Sequence, residues 1–460
     1  MAAHLFAAID VGSFELEMGI YETTSRNGLR EIDHLRHVIS LGRDTYHTGK
    51  ISYHLVDEMC QVLEEFAQVM KSYQVEDYRA YATSAMREAK NSQIILEQIR
   101  VRTGIQVQVI SNSEQRFLGY KAIAMKEAEF QKIIQKGTAI ADVSFGSLQI
   151  SLFDKDSLVS TQNIQQGILR LRENLSGVWS DRQTVLGIFE DMVDNELYAF
   201  KKMYLKDRDI KNLICIGESI LYLARDEVAG KRVDRISAAD FQKFYEKLIQ
   251  MPVDQIEDRF GVNQEYAHLL IPAAIIYKQI LEMTGAEMLW IPGIRMCDGI
   301  AADYAEKQKY LKFTHNFDDD ILSASRNMAK RYRCNTSHGQ KIENYALQIF
   351  DAMKKFHGLG TRERLLLRIA SILHDCGKFI SLRDSSACAE NCFRRKRALD
   401  NGKERCRKSR DVHADQDQAA DDINAGHDRN DLLNYRCQTL CSSKEDHRRD
   451  HCDNNADDHR

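Results

Sequence analysis

One short pattern occurs twice in this sequence, and it restricts the folds that the chain can adopt. Residues 5–11 form an apolar run that ends in Asp-Val-Gly-Ser, and residues 15–23 then alternate in the manner of a strand. The same order returns at 139–143, where Ala-Ile-Ala-Asp-Val is followed by a small-residue turn and an alternating run at 148–153. An internal duplication of a sheet domain is the simplest explanation.

Strand and helix patterns alternate along residues 1–125, as in an α/β layer fold. We predict strands at 5–11, 15–23, 31–39, 78–82 and 106–110, and helices at 56–73 and 93–102. From 181 to 307 the pattern is mostly helical, with one strand at 212–216. Two similar α/β halves that face each other enclose a cleft, which is a common place for ligands.

The composition restricts the partners that the chain can have. It carries 64 basic and 68 acidic residues, which gives no general argument for binding nucleic acid or a membrane surface. No apolar run reaches the roughly 18–20 residues that span a bilayer. The first residues have no basic segment before their apolar run, so we expect no signal peptide and a cytoplasmic protein.

Residues 385–460 differ from the rest of the chain in composition. Six of the 11 cysteines lie after residue 380, among many charged and few large apolar residues. Such a segment cannot bury enough apolar surface to offset the entropy of ordering it. The abrupt change favours out-of-frame translation that begins near 385–390. Natural disorder and a metal site are the alternatives, although no spacing resembles a zinc knuckle or ribbon.

Two turns in the duplicated pattern place an acid at the end of a strand, beside small residues. They are Asp10-Val-Gly12-Ser13 and Asp142-Val-Ser-Phe-Gly146-Ser147. Phosphate chemistry uses such turns because glycine lets backbone N–H groups approach an anion closely, and because an aspartate can hold Mg²⁺ or position water. One such turn is common in ordinary proteins, but two copies at the starts of two matching halves favour a functional role for these turns.

A third segment, residues 81–91, follows a predicted strand and opens a helix. The hydroxyls of Thr83 and Ser84 lie where a helix start binds anions, and Arg87 adds a forked donor that suits phosphate. A capped helix with a surface arginine explains the same residues, and this segment alone does not choose between the two interpretations.

Together these segments resemble the exopolyphosphatase/guanosine pentaphosphate phosphatase (Ppx/GppA) family. Residues 82–91, Ala-Thr-Ser-Ala-Met-Arg-Glu-Ala-Lys-Asn, are similar to the signature after the family's fourth strand, and Ile-Ser-Asn-Ser-Glu-Gln at 110–115 is similar to its Ile-Ser-Gly-x-Glu-Glu segment. The two aspartate turns match its Asp-x-Gly-Ser-Asn-Ser and Asp-Ile-Gly-Gly-Gly-Ser turns. Residues 291–300 resemble the segment that returns the chain to the first domain, so the match covers 1–305 in order.

The resemblance implies two actin-like (ribonuclease H-like) α/β domains flanking a cleft, at 1–125 and 126–307, with 285–305 returning to the first. It also implies that water attacks the terminal phosphate of inorganic polyphosphate or guanosine pentaphosphate, assisted by a divalent metal, usually Mg²⁺, and it allows a homodimer. Asp10 and Asp142 would hold the metal and the water. The residues that would hold phosphate are Arg87, Gly12, Ser13, Thr83, Ser84, Gly146, Ser147 and Gly217.

The sequence departs from the family's pattern at positions that carry the chemistry. The second acid of the Glu-Glu pair, the family's catalytic base, aligns with Gln115, and an amide cannot take a proton from water. Glu114 is adjacent and is the candidate stand-in base. Ser144 and Phe145 replace glycines in the second turn, where their side chains hinder backbone approach to phosphate.

A helical segment at 336–384 carries a second resemblance, to the HD domain. His374 and Asp375 follow an apolar run, and His338 lies upstream before a helix. In that domain a histidine, a His-Asp pair and a distant aspartate hold a divalent metal for phosphate-ester hydrolysis. We therefore expect a polar connector at 308–335, followed by a truncated all-α HD-type domain whose fourth ligand would lie in the 385–460 tail.

Two functions from different classes follow from these residues. The first is a phosphohydrolase that releases terminal orthophosphate from polyphosphate or guanosine pentaphosphate. The second is a catalytically impaired regulatory protein that binds polyphosphate or a guanosine alarmone in the same cleft, and it is motivated by Gln115, Ser144 and Phe145. A nonfunctional product of a damaged gene is a third explanation, which only the tail supports.

Overall fold

The duplicated sequence pattern folds into two β-sheets. The computed structural model describes residues 4–24, 28–174, 182–205, 208–224 and 233–379. The strands of the first sheet are β1 (His4–Val11), β2 (Glu15–Thr24), β3 (Gly28–Val38), β4 (Asp77–Ala82) and β5 (Val107–Val109). They are arranged in the order β3-β2-β1-β4-β5, with antiparallel pairing from β3 to β1 and parallel pairing from β1 to β5.

The second sheet repeats the arrangement of the first. Its strands are β6 (Thr138–Val143), β7 (Leu148–Asp154), β8 (Ser157–Ile164), β9 (Asn212–Ile216), β10 (Arg235–Ser237) and β11 (Met288–Trp290). The order is β10-β11-β9-β6-β7-β8, antiparallel from β6 to β8 and parallel from β6 through β9 to β11. The predicted duplication and the α/β class are therefore confirmed. The sequence did not predict β8, because its buried positions include the polar residues Thr161, Gln162 and Asn163.

Helices surround both sheets and make the crossovers that parallel strands require. Up to β9 they are α1 (Leu41–Thr48), α2 (Tyr53–Ser72), α3 (Ser84–Glu88), α4 (Ser92–Thr103), α5 (Asn112–Ala124), α6 (Glu127–Ile134), α7 (Ile168–Asn174) and α8 (Arg182–Phe200), with a π-helical turn at Lys201–Leu205. After β9 they are α9 (Glu218–Leu223), α10 (Ala238–Leu248), α11 (Val253–Phe260), α12 (Gln264–Thr284) and α13 (Met296–Lys307). None of the helices in the described ranges is long and apolar enough to cross a membrane.

The predicted helix at 56–73 shows how sequence spacing becomes packing. Met59, Leu63, Phe66 and Met70 recur at helical intervals on α2, and all four are buried in the core beneath the first sheet. The helix begins three residues before the predicted position, at Tyr53, and ends at Ser72. Truncating a buried side chain of this kind to alanine typically costs about 2–5 kcal/mol of stability.

Helix α13 returns the chain to the first sheet. Tyr21 on β2 donates a hydrogen bond to Asp298 (2.8 Å), and Cys297 is fully buried against β1. On its other side, Lys121 of α5 donates to Asp303 (2.6 Å) while only 4% of the lysine side chain is exposed. Because a buried charge is costly without its partner, this pair fixes how α13 and α5 lie against each other. The same α5 carries residue 115 into the cleft.

A helix lies where the sequence predicted a polar connector. Residues 308–335 contain α14 (Phe317–Arg331), so the connector prediction is wrong for this stretch. The charged residues of α14 concealed its buried positions, which include Leu322 and Ala329. Asp320, 3% exposed, accepts hydrogen bonds from the Leu158 N–H of β8 (3.0 Å) and from His315 (2.6 Å). This aspartate, which the sequence pattern indicates as a polar surface residue, is thus buried and joins α14 to the second sheet.

The chain continues as a helical segment with α15 (Thr336–Ala352), α16 (Lys354–His357), α17 (Thr361–Leu373) and a 3₁₀ turn at Cys376–Phe379. Helices α14 and α17 share a small apolar core that includes Leu322, Ile369 and Ile372. The end of the predicted HD-type segment, 380–384, and the predicted tail at 385–460 lie outside the described residues.

A pair of glycines tests the packing of the second half. A Cβ on Gly167 would overlap the backbone of Phe145 and Gly146, whereas a Cβ on Gly187, within α8, would meet nothing within 4 Å. We expect Gly167→Ala to lower the free energy of unfolding by about 1–3 kcal/mol, as overpacking does. Gly187→Ala should raise it by up to about 1 kcal/mol, because alanine is the better helix former. Chemical denaturation of both variants measures this; equal stability of the two would contradict the packing described.

Candidate active site

A cavity lies between the two sheets, where β1 and β6 end in their aspartate turns. It encloses about 770 Å³ of space, open solvent included. Nine residues predicted as site residues line it: Asp10, Gly12, Ser13, Thr83, Ser84, Gln115, Asp142, Gly146 and Gly217. The other lining residues are Glu15, Glu17, Gly119, Ser144, Phe145, Ile216, Glu218, Ile294, Arg295 and Met296. The duplicated turns therefore meet in one place, as their common position at the strand ends requires.

Three hydroxyl groups join the first turn to the start of α3. Ser13 Oγ lies 2.7 Å from Ser84 Oγ, and Tyr46 Oη of α1 lies 2.8 Å from each of them. The N–H of Ala85 also donates to Ser13 Oγ (3.2 Å). The sequence did not mark Tyr46, because nothing in its own segment indicates a polar role. The hydroxyls are held at hydrogen-bond distance from one another, so an entering ligand would replace some of these bonds.

The second turn is pressed against the first half of the molecule at Gly146. A Cβ there would overlap the hydroxyls of both Ser84 and Tyr46, so glycine permits a contact that another residue would block. Arg170 of α7 reinforces the contact: its Nε donates to the Gly146 carbonyl (3.2 Å), and its NH2 group pairs with Glu88 (2.8 Å). Its guanidinium also lies 3.9 Å from the centre of the Tyr46 ring.

Two phenylalanines meet where the two turns face each other. The Phe14 ring, next to the first turn, lies 4.8 Å from the Phe145 ring of the second turn, and both contact Tyr266 of α12. Such a pair contributes about 0.5–1.5 kcal/mol beyond the apolar area that it buries. Since Phe145 also lines the cavity, it occupies space beside the position where a phosphate-binding turn would place backbone N–H groups.

Asp10 and Asp142 face the same cavity from the ends of β1 and β6. Burial, followed by the charges of Glu17 and Asp142, raises the pKa of Asp10 well above its usual range. Burial also raises the pKa of Asp142, although a hydrogen bond from Ser144 (3.0 Å) and the charge of Arg116 act in the opposite direction. Asp10 Oδ1 is buried and has no hydrogen-bond partner among the described residues. Both carboxylates therefore favour a neighbouring positive charge.

Asp142 also lines a smaller adjoining pocket of about 200 Å³. There Arg116 Nε donates to Gln149 Oε1 (3.1 Å), and both side chains are almost completely buried. Arg116 is thus a cation held beneath the second turn, where its charge acts on Asp142.

Three glutamates form a second group of acids at the cavity. Glu15 and Glu17 project from the same face of β2, Glu218 begins α9, and an oxygen of each lies within 4.8 Å of an oxygen of the others. Burial and the charge of Glu17 raise the pKa of Glu15 to about 8. Burial and the charges of Glu17 and Glu15 raise the pKa of Glu218 well above its usual range, against the opposing effect of Arg295.

Gln115 faces the cavity, whereas Glu114 does not line it. Glu114 closes a capping box at the start of α5, where its Oε2 accepts hydrogen bonds from the N–H (2.9 Å) and the hydroxyl (3.0 Å) of Ser111. Gln115 is 7% exposed, and its Oε1 has no hydrogen-bond partner in the described structure. The carboxylate of Glu114 is engaged in the cap in this structure, and its role as the stand-in base stays a prediction.

Two further predicted site residues lie beside the cavity without lining it. The Arg87 guanidinium is partly buried, donates to the Ile110 carbonyl (2.6 Å) and bonds the Asn112 side chain, so it holds the start of α5. Burial lowers the pKa of Arg87. Ser147 is 4% exposed, and its carbonyl accepts from the Ser144 N–H (3.0 Å), which closes the second turn. In this structure Arg87 and Ser147 support these two segments, and their direct role in holding phosphate stays a prediction.

The HD-like residues come together in the C-terminal helical segment. Ligand atoms of His338, His374 and Asp375 lie within 4.8 Å of one another, and the two imidazole rings are 5.3 Å apart. Burial alone would raise the pKa of Asp375, but a hydrogen bond from Lys378 (2.8 Å) and the charge of His374 lower it. The three predicted ligands are thus adjacent. Any fourth ligand from the tail lies outside the described residues.

The sequence prediction omitted three acids of the cavity, Glu15, Glu17 and Glu218. The signal for Glu17 was present, because it lies two residues after Glu15 in a strand and therefore shares its face. Glu218 gave no such signal. It reaches the glutamates of β2 only because β9 of the second sheet ends opposite the first sheet.

Comparisons with known proteins agree with this architecture. Over 386 residues the chain is 21% identical to a guanosine-5'-triphosphate,3'-diphosphate pyrophosphatase of Photobacterium profundum, covering 83% of this chain and 74% of the relative. Over 290 residues it is 22% identical to exopolyphosphatase 1 of Mycobacterium tuberculosis, covering 62% of this chain and 83% of the relative.

Solved structures show the same fold. The Ppx/GppA family member of Aquifex aeolicus superposes with a TM-score of 0.54 at 21% identity, covering 67% of this chain and 99% of that one. An exopolyphosphatase from Cytophaga hutchinsonii superposes with a TM-score of 0.58 at 17% identity, covering 66% and 98%. The sequence matches the Ppx/GppA phosphatase family over residues 20–305. Because that match covers more than half of the chain and includes the second aspartate turn and the second sheet, this chain belongs to the Ppx/GppA phosphatase family.

Proposed function

We propose that this protein is a phosphohydrolase that releases terminal orthophosphate from inorganic polyphosphate or guanosine pentaphosphate. The observation that carries the proposal is the meeting of two duplicated aspartate turns, with Asp10 and Asp142, in one cavity between the sheets. Relatives whose names specify these two activities support the choice of substrates. Polyphosphate and the alarmone share the terminal phosphoanhydride, so both remain within the proposal.

Phosphate would be held by polar groups that line the cavity. The hydroxyls of Ser13, Thr83 and Ser84 come from two segments of the first half, and the backbone at Gly146 comes from the second. Hydroxyls and exposed N–H groups beside a helix start favour an anion. In this assignment Arg87 positions the segment before α5 and contributes to binding only through it.

A divalent ion such as Mg²⁺ fits the two aspartates. Both supply hard carboxylate oxygens to one cavity, and Asp10 Oδ1 is buried with no hydrogen-bond partner among the described residues. When bound there, the ion would neutralise negative charge on phosphate oxygens. The chain's own groups would orient the substrate and position the attacking water.

A second candidate function has its own observation. Gln115 is the residue of the α5 start that faces the cavity, and Glu114 is engaged in the capping box. A cleft of this kind retains the means to bind phosphate but lacks a carboxylate base at that position. It favours a regulatory protein that binds polyphosphate or a guanosine alarmone and turns it over slowly or not at all.

The variant Gln115→Glu separates the two candidates. We expect it to increase orthophosphate release from long-chain polyphosphate by about 10²–10⁴-fold, the usual contribution of a general base. The measurement is orthophosphate release with Mg²⁺ present, beside polyphosphate binding by both proteins. If the unmodified protein releases orthophosphate efficiently and Gln115→Glu releases it at the same rate, the interpretation that a catalytic base is missing is rejected.

Glu114→Ala is the matched control for this experiment. It removes the capping carboxylate next to residue 115 and should lower the free energy of unfolding by about 0.5–2 kcal/mol, as the loss of a helix cap does. Its rate of orthophosphate release, measured on the folded protein, should stay near that of the unmodified chain. Loss of all activity in Glu114→Ala would instead identify Glu114 as the base.

The variant Asp142→Asn tests the metal assignment. We expect chelation of divalent ions to abolish polyphosphate binding, because the cavity is rich in carboxylates and needs added positive charge. Asp142→Asn should raise the Mg²⁺ concentration needed for half-maximal binding by at least about 10-fold, since it removes an ionic ligand. Polyphosphate that binds equally well with chelator would contradict the assignment.

A further inference from the structure

The glutamates on β2 and α9 are placed as ligands of one ion. Glu15 and Glu17 are 4% and 3% exposed, yet an oxygen of each lies within 4.8 Å of the other and of Glu218. Glu17 Oε1 has no hydrogen-bond partner among the described residues, and the nearest base, His34 Nε2, lies 3.9 Å away. Buried carboxylates in this arrangement need protons or a counter-charge in the space between them.

The protein's own cations supply only part of that charge. Arg36 Nε lies 2.8 Å from Glu15, so this glutamate has a close partner. Arg295 lies 3.9 Å from Glu218 and closer, at 3.0 Å, to Glu31. Among the groups lining the cavity, the five carboxylates of Asp10, Glu15, Glu17, Asp142 and Glu218 face the single guanidinium of Arg295.

A separate side chain, on another element, also points to a ligand in this space. Gln115 of α5 is 7% exposed and lines the same cavity, and its carbonyl oxygen is buried with no hydrogen-bond partner among the described residues. A buried carbonyl without a donor costs free energy, and a cation or its bound water satisfies it.

We propose that Glu15, Glu17 and Glu218 form a divalent-cation site at the cavity, separate from the pair Asp10 and Asp142. The donors are carboxylate oxygens, which suit hard ions such as Mg²⁺, Mn²⁺ and Ca²⁺. Opposite ligands of Ca²⁺ lie roughly 4.6–5.2 Å apart and those of Mg²⁺ roughly 4.0–4.2 Å apart, as twice their usual metal–oxygen distances. Three oxygens within 4.8 Å of one another therefore lie within the ligand span of a larger ion, whereas those of Mg²⁺ would have to lie within about 4.2 Å.

The site has a consequence that rests on the proposed function. When its five carboxylates are ionised, a cavity with one guanidinium repels a phosphate chain, and the Asp10–Asp142 ion neutralises only part of that charge. With a second ion on Glu15, Glu17 and Glu218, the phosphate chain enters as a complex of its divalent counter-ions. The cavity then selects polyanions that carry such ions.

The test is a titration of the full chain with Mn²⁺ in the absence of substrate. Binding is measured as the loss of the free Mn²⁺ signal in electron paramagnetic resonance. The double variant Glu17→Gln/Glu218→Gln keeps the shapes of both side chains and removes two charges. We expect it to bind one Mn²⁺ fewer than the unmodified chain in the tight range, or to bind that ion at least about 10-fold more weakly. The control is Glu22→Gln, on the same strand, whose carboxylate pairs with Arg30 at the surface.

A thermal melt with and without Mn²⁺ gives a second measurement on the same proteins. The ion should raise the Tm of the unmodified chain and of Glu22→Gln by more than that of the double variant, because it binds the folded state. If the double variant does not fold, Glu218→Gln alone takes its place. Equal Mn²⁺ binding by the double variant and the unmodified chain, with a raised Tm in the absence of metal, would identify a strained charge cluster and overturn the proposal.

The design keeps this inference separate from the proposed function. Mn²⁺ binding needs neither polyphosphate nor hydrolysis, so a protein that releases no orthophosphate can still show the site. Asp142→Asn should lose a different Mn²⁺ from the one lost in Glu17→Gln/Glu218→Gln. If the two variants lose the same single ion, the two groups of acids are one site and the proposal fails.

Discussion

The close contact of Gly146 with Ser84 and Tyr46 is the constraint on which the site depends. Because no Cβ separates them, the second aspartate turn lies directly against the hydroxyl groups that hold the first one. Arg170 fixes the same contact from the other side through the Gly146 carbonyl and Glu88. Asp10 and Asp142 therefore share one cavity, which two similar sheets would not produce by their folds alone.

Buried negative charge is the second feature that organises the cavity. Two like charges about 4–5 Å apart repel by roughly 3–4 kcal/mol at an effective dielectric constant of about 20. Several such pairs exist among the acids at this site, and a folded chain lowers their cost with protons, arginines or bound cations. Arg36 and Arg295 reach the glutamates from β3 and from the start of α13, so these elements also contribute to the balance of charge.

Local patterns predicted what repeats along the chain, and they failed where distant segments meet. The strand–turn–strand repeat gave both sheets and the positions of Asp10 and Asp142 correctly. It could not show that Arg87 bonds the Ile110 carbonyl, because that depends on where α5 starts. The helix α14 was missed for a related reason: its buried Asp320 is recognisable only when the N–H groups of β8 lie beside it.

The amide at position 115 fits the charge of the cavity better than the carboxylate that the family's motif would place there. A glutamate at this position would be a sixth acid facing one guanidinium. Burial would raise its pKa and so favour the neutral carboxylic acid, which cannot accept a proton from water. An ion on Glu15, Glu17 and Glu218 would offset that effect. A restored base would then be ionised only when the ion is bound, so base catalysis in this cleft would depend on both ions, whereas binding through Gln115 would not require ionisation at all.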